Sequence, residues 1–166
     1  MTGGDHAGPV SALARTAALQ LAGPSGVVGV GVDAVDLGRF GQVLARRPAV
    51  ADRLFTGGEL AYARSATDPV PRLSTRFAAK EAVMKALGVG LGAFPFHDVE
   101  VVRQGLGAPR VVVRGAAAEL ARAAGVGRWH LSLSHTDLVA LALVVAEAGP
   151  AHAPGPTLSA YPTATP

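Results

Sequence analysis

The chain has 166 residues, 49% of them hydrophobic and 16% charged, a balance that suits one folded domain with a sizeable core. It contains no cysteine, which excludes disulfides, thiolate metal sites and a cysteine nucleophile together. A net charge of +3 gives a mildly basic surface, but aromatic residues at 5% are too few for nucleic-acid binding by stacking, so an acidic protein or a phosphorylated small molecule is the expected partner.

Residues 1–26 are small and polar, with a weak helical pattern only in SALARTAALQLA, and are expected to form a flexible extension. The opening MTGGDHAGP has neither the positive segment nor the apolar stretch of a secretory signal, in keeping with a cytoplasmic protein. VVGVGVDAV reads as a strand, and LGRFGQVLARR as a short amphipathic helix with Leu37, Phe40, Val43 and Leu44 on one side. Arg53 falls in the loop beyond. Thr56 and Glu59 make a T-x-x-E capping box that opens a helix running to about Ala66. Ser74 or Thr75 is placed to cap a third helix, RFAAKEAVMKAL, with Gly88 closing it. DVEVVRQ and PRVVVRG flank GLGA as a hairpin, and GAAAELARAAG is a fourth helix. WHLSLSH and LVALALVVAE are two strands joined by a tight turn at Thr136-Asp137. The run LVALALVVA is far short of the roughly 20 apolar residues that span a bilayer, so no membrane partner is expected. Five prolines between Gly149 and Pro166 predict a disordered tail over 148–166, leaving 27–147 as the working domain. Helices and strands are segregated rather than alternating. The expected fold is α+β, a single domain with a mostly antiparallel sheet and helices packed on one side.

Three segments carry chemistry. GVGVDA, residues 29–34, fits the G-x-G-x-x-[GA] pattern of a dinucleotide loop, but no helix opens within it and no parallel second strand follows. Asp33 would also set a negative charge against two phosphates, a repulsion of about 4 kcal/mol at 4 Å and an effective dielectric near 20. Either the segment is a plain strand end with a solvated aspartate, or Asp33 is an oxygen ligand for a Mg²⁺ that holds a diphosphate. On the third helix, Phe77, Val83, Met84 and Leu87 form an apolar arc. Glu81 lies at its edge, Lys80 inside it and Lys85 just beyond. Glu81 and Lys85 fit an ordinary surface i,i+4 pair, yet a half-buried acid with two lysines on one helix also fits a metal and phosphate site. In WHLSLSH, Trp129, Leu131 and Leu133 face one way and His130, Ser132 and Ser134 the other, with His135 ending the strand. No G-x-S-x-G elbow or H-E-x-x-H zinc pair occurs.

Together these segments resemble the holo-acyl-carrier-protein synthases, the small stand-alone phosphopantetheinyl transferases. The family's first motif is matched by Gly29, Gly31, Asp33 and Arg39, the second without a gap by RFAAKEAVMKALG (76–88), and the third by SLSH (132–135). Ala34 and Gly38 depart from the family's usual bulkier and charged residues, which bears on local packing. The resemblance implies transfer of 4′-phosphopantetheine from coenzyme A to a serine of an apo acyl carrier protein of fatty-acid or polyketide synthesis, releasing 3′,5′-ADP. It implies Mg²⁺ held by Asp33 and Glu81, charge neutralisation by Lys85, and coenzyme A contacts from Arg76, Lys85, His135 and Thr136. Glu81 is the candidate base for the serine proton. Arg39, Arg46, Arg47 and Arg53 are the expected contacts for an acidic carrier, against the plainer reading of a solubilising charged face. The resemblance also implies a homotrimer with sites at subunit interfaces. From other classes, an inactive carrier-docking homologue or a coenzyme A-binding module shares these features.

Overall fold

The computed structural model describes residues 26–149, apart from 104 and 106. SALARTAALQLA, most of the expected N-terminal extension and nearly all of the expected tail lie outside the described residues.

Strand β1 (Val27–Asp36) runs directly into helix α1 (Leu37–Arg46), with Asp36 as N-cap accepting the Arg39 N–H at 2.7 Å. Leu37 and Phe40 are buried, whereas Val43 is exposed. Arg53, expected in a loop, instead lies on helix α2 (Ala49–Leu54), whose Ala51 and Leu54 pack on a small core around Phe40 and Phe55. Helix α3 (Gly57–Arg64) opens on the predicted capping box, with both reciprocal Thr56–Glu59 bonds present, and stops two residues short of Ala66.

The long helix α4 (Val70–Ala86) begins well before the expected Ser74 or Thr75 cap. Proline is tolerated in a first helical turn, so Pro69 and Pro71 start this helix rather than break it, and Asp68 accepts the Val70 N–H at 2.9 Å. Ser74 and Thr75 are buried within the helix. Its C-terminus is as predicted. Gly88 takes φ +68°, and the Gly88 and Val89 N–H groups close on the carbonyls of Lys85 and Met84 at 3.0 Å each.

After a 3-10 turn (Phe96–Asp98), β2 (Val99–Val102) and β3 (Arg110–Val113) pair as the predicted antiparallel hairpin. Helix α5 (Gly115–Ala123) leads to β4 (Val126–His135) and β5 (Val139–Ala148). The main sheet is antiparallel in the order β1-β5-β4. Ala140, Ala142, Val144 and Ala146 of β5 are buried, the last three in a hydrophobic core with Ala78, Ala82 and Val83 of α4, whereas Val139 and Leu141 remain exposed.

The hairpin's outer edge is closed by side chains. The Arg114 N–H donates to Asp98 O at 2.7 Å, which sets the ladder phase so that residues 99 and 101 point their polar backbone groups away from β3. Glu59 Oε1 accepts the Val101 N–H at 3.0 Å, and Lys80 Nζ donates to Val99 O. Lys80, read from the helical wheel as part of a metal and phosphate site, is therefore a buried structural lysine. Its ammonium lies 2.8 Å from Glu59 Oε2, with both side chains fully buried.

Candidate functional site

Gly29, Gly31 and Asp33 alternate onto one face of β1, opposite Ala146, Val144 and Ala142 of β5. A β-carbon on Gly31 would stand 1.8 Å from the Ala82 carbonyl oxygen, and one on Gly29 would stand 1.9 Å from that of Ala86. The glycine pair therefore admits the backbone of α4, and the resemblance to a dinucleotide loop has a packing origin. With the helix seated so closely, the next residue on that face, Asp33, comes beside Lys85. Lys85 Nζ lies 2.7 Å from Asp33 Oδ1 and 2.9 Å from Val32 O, so the lysine pairs with the strand and not with Glu81.

Burial raises the Asp33 carboxyl above its ordinary value, and the Lys85 bond and charge offset part of that rise. Burial also raises Glu81, the Asp33 charge raises it further, and Lys85 again opposes. Glu81 Oε1 is buried with no hydrogen-bond partner. An unpaired buried acceptor beside a second carboxylate is what a hard divalent cation would satisfy, so Asp33 and Glu81 fit Mg²⁺. No group of three His, Cys, Asp or Glu residues suited to a metal occurs among the described residues. Two protein oxygens would leave the remaining positions to water and phosphate, the arrangement Mg²⁺ favours.

A second feature was read in the sequence only through Arg76 and His135. A cleft of about 460 Å³ is lined by Tyr62 of α3, Arg72, Thr75 and Arg76 of α4, Arg103 and 107–109 of the hairpin loop, and Leu133 and His135 of β4. The Arg76 and Arg72 guanidinium carbons lie 4.1 and 4.6 Å from the Tyr62 ring centroid, and Arg103 Nη1 is 3.3 Å from the Tyr62 hydroxyl. That bond first, and the three positive charges with it, hold the Tyr62 phenol below its usual range. Among the described residues none of these arginines has a carboxylate within salt-bridge distance. Arg76 Nε is buried and unpartnered. Three guanidiniums with no carboxylate partner among the described residues are chemically suited to a multiply charged anion. The i−4 spacing of Arg72 from Arg76 was the available signal; Tyr62 and Arg103 arrive from other elements.

Arg76 and His135 thus share one cleft, whereas Asp33, Glu81 and Lys85 cluster further along α4, Glu81 lying five residues on, about 7.5 Å along the axis. Thr136 is not among the cleft residues; its hydroxyl accepts the Leu138 and Val139 N–H groups at 3.2 Å within the turn. Arg39, Arg46 and Arg47 are exposed along and after α1, and Arg53 is exposed on α2.

A sequence profile of the 4′-phosphopantetheinyl transferase superfamily matches residues 29–144, a span holding both clusters. The chain belongs to this superfamily. Among superfamily members, the holo-[acyl-carrier-protein] synthase of Frankia alni is 50% identical over 121 residues, covering 73% of this chain and 98% of that protein. The crystal structure of holo-[acyl-carrier-protein] synthase from Neisseria meningitidis is 36% identical with a TM-score of 0.67, covering 73% of this chain and 98% of that one. The holo-(acyl-carrier-protein) synthase from Bacillus anthracis in complex with CoA (3′,5′-ADP) is 31% identical with a TM-score of 0.62, covering 74% and 98%.

Proposed function

We propose that the chain is a holo-acyl-carrier-protein synthase, moving 4′-phosphopantetheine from coenzyme A to a serine of an apo acyl carrier protein. The observation that carries this reading is the approach of Asp33 of β1 to Lys85 and Glu81 of α4, where a buried Glu81 oxygen has no hydrogen-bond partner. Asp33 and Glu81 would hold Mg²⁺, which would supply Lewis-acid stabilisation of the charge on the reacting diphosphate. The serine oxygen bonds to the phosphorus that carries the pantetheine arm, the diphosphate bridge to that phosphorus breaks, and 3′,5′-ADP leaves. Glu81 is the candidate to take the serine proton, directly or through a water. Lys85 is more exposed than Asp33 and can turn its ammonium from that carboxylate to the departing phosphate. The arginine cleft with His135 takes a phosphate of the adenosine end of coenzyme A.

This reading is tested by incubating the chain with an apo carrier, coenzyme A and Mg²⁺ and weighing the carrier by mass spectrometry. The phosphopantetheine adduct is expected. A carrier bound but unmodified would point to a docking homologue, and coenzyme A bound without transfer would point to a binding module.

The exposed arginines of α1 and α2 are proposed to receive the acidic carrier. Arg39→Glu is then expected to raise the carrier KM strongly with coenzyme A binding close to wild type. The bimolecular rate should also fall with added salt, because exposed charges are screened beyond about 8 Å at physiological ionic strength. Equal effects on both substrates, or no salt dependence, would move the docking site elsewhere.

A homotrimer is proposed as well, supported by an apolar strip left exposed along β5, Val139 at 40% and Leu141 at 39%. Light scattering should give three times the chain mass; a stable, fully active monomer would remove the shared-site picture. Among the described residues no helix is long and apolar enough to cross a membrane. A cytoplasmic location is proposed, in keeping with the proposed substrates.

A further inference from the structure

Lys80 precedes Glu81 on α4 and lies one turn beyond Arg76, yet neither it nor its partner Glu59 bonds to the cluster at Asp33. Both side chains are fully buried, and their polar atoms are all used. The ammonium donates to Glu59, to Phe96 O at 2.9 Å and to Val99 O. The carboxylate accepts from Thr56 N and Val101 N, each at 3.0 Å. Such a pair is a poor source of net stability, because dehydrating two charges offsets most of their attraction. What it supplies is direction. Three fixed acceptors leave the ammonium one place to sit, and so give α4 one rotation and one axial setting against the hairpin. The opposite side of the helix is held as closely, with the Ala82 and Ala86 carbonyls against Gly31 and Gly29. Glu81 and Lys85 project from the segment clamped between these two contacts. Apolar packing alone fixes a core less uniquely than directional bonds do.

We propose that Lys80 and Glu59 are positioning residues for the transfer reaction, acting through α4 to keep Glu81 and Lys85 in register with Asp33; the proposal rests on the transferase reading above. Glu59→Gln is nearly isosteric and keeps an oxygen for the Val101 N–H. It is expected to stay folded with an unchanged carrier KM, since docking rests on the exposed arginines of α1 and α2, and with kcat lowered about tenfold by a small displacement of the reacting groups. A readout that needs no turnover is the affinity of the Asp33–Glu81 pair for Mn²⁺ by electron paramagnetic resonance, expected to weaken about tenfold. If the pair serves stability alone, the melting temperature falls while kcat per folded molecule and Mn²⁺ affinity stay at wild type, and the proposal is overturned. The double variant Lys80→Met with Glu59→Gln leaves no unpaired buried charge and is read in the same two ways. If neither variant folds at the assay temperature, the pair is a determinant of folding and the positioning role is withdrawn. A wild-type chain without turnover would strike the transferase reading instead, and Mn²⁺ affinity would still judge the positioning.

Discussion

Asp33→Asn and Glu81→Gln are each expected to lower phosphopantetheine transfer by about 100-fold or more while the protein stays folded, a loss on the scale of removing one stabilising group from a transition state. The two variants should differ in stability in a telling way. Asp33→Asn gives up the Lys85 pair, which is partly exposed on the lysine side and worth about 0–1 kcal/mol. Glu81→Gln removes a carboxyl that burial and the Asp33 charge both disfavour in the absence of a cation, so its melting temperature should match or exceed wild type. Loss of activity with no loss of stability is the signature of groups held in place for a ligand. Turnover at saturating Mg²⁺, alongside thermal melts, is the measurement. Near-normal turnover in either variant would remove that residue from the ligand set.

Gly31→Ala is the second large effect expected. The added methyl would stand 1.8 Å from a backbone carbonyl oxygen of α4, and a backbone group has no rotamer to retreat into. The helix must move off β1, at a cost of about 3 kcal/mol. Activity should fall further than stability, because the displacement separates Asp33 from Glu81 and Lys85. Gly90→Ala is the control: its β-carbon would meet nothing within 4 Å, and both turnover and melting temperature should stay at wild type. A Gly31→Ala protein as stable and active as wild type would mean that the strand and helix are not in the contact described.

Much of the site was legible because its signals are local. The T-x-x-E box, the glycine after α4 and the apolar alternation of β4 each state a local requirement within a few residues, and the structure meets them. Asp33 and Glu81 stood out because each put an acid where its surroundings disfavoured one. What stayed hidden depends on partners far apart in sequence. Lys80 in an apolar arc looked like a ligand-binding lysine only because Glu59, 21 residues earlier, had no visible reason to meet it. The cleft at Tyr62 is assembled from helix, loop and strand, so no single window displays it. Serine and threonine at 74 and 75 imitated a helix start, while the true start was written in prolines, which end helices except in their first turn.

The side chains that close the outer edge of β2 also bear on how the protein avoids aggregation. An unpaired strand edge is a template for the strand of another chain, and hairpins are most exposed to such pairing before their neighbours have folded. Here Glu59 and Lys80 both precede β2 in the chain. A chain made from its N-terminus has therefore already produced the acceptor for the Val101 N–H and the donor for the Val99 carbonyl when that strand emerges. Any strand seeking to join this edge must first extract a buried ion pair, so in hydrogen-bonding terms β2 is an interior strand from the time it can fold.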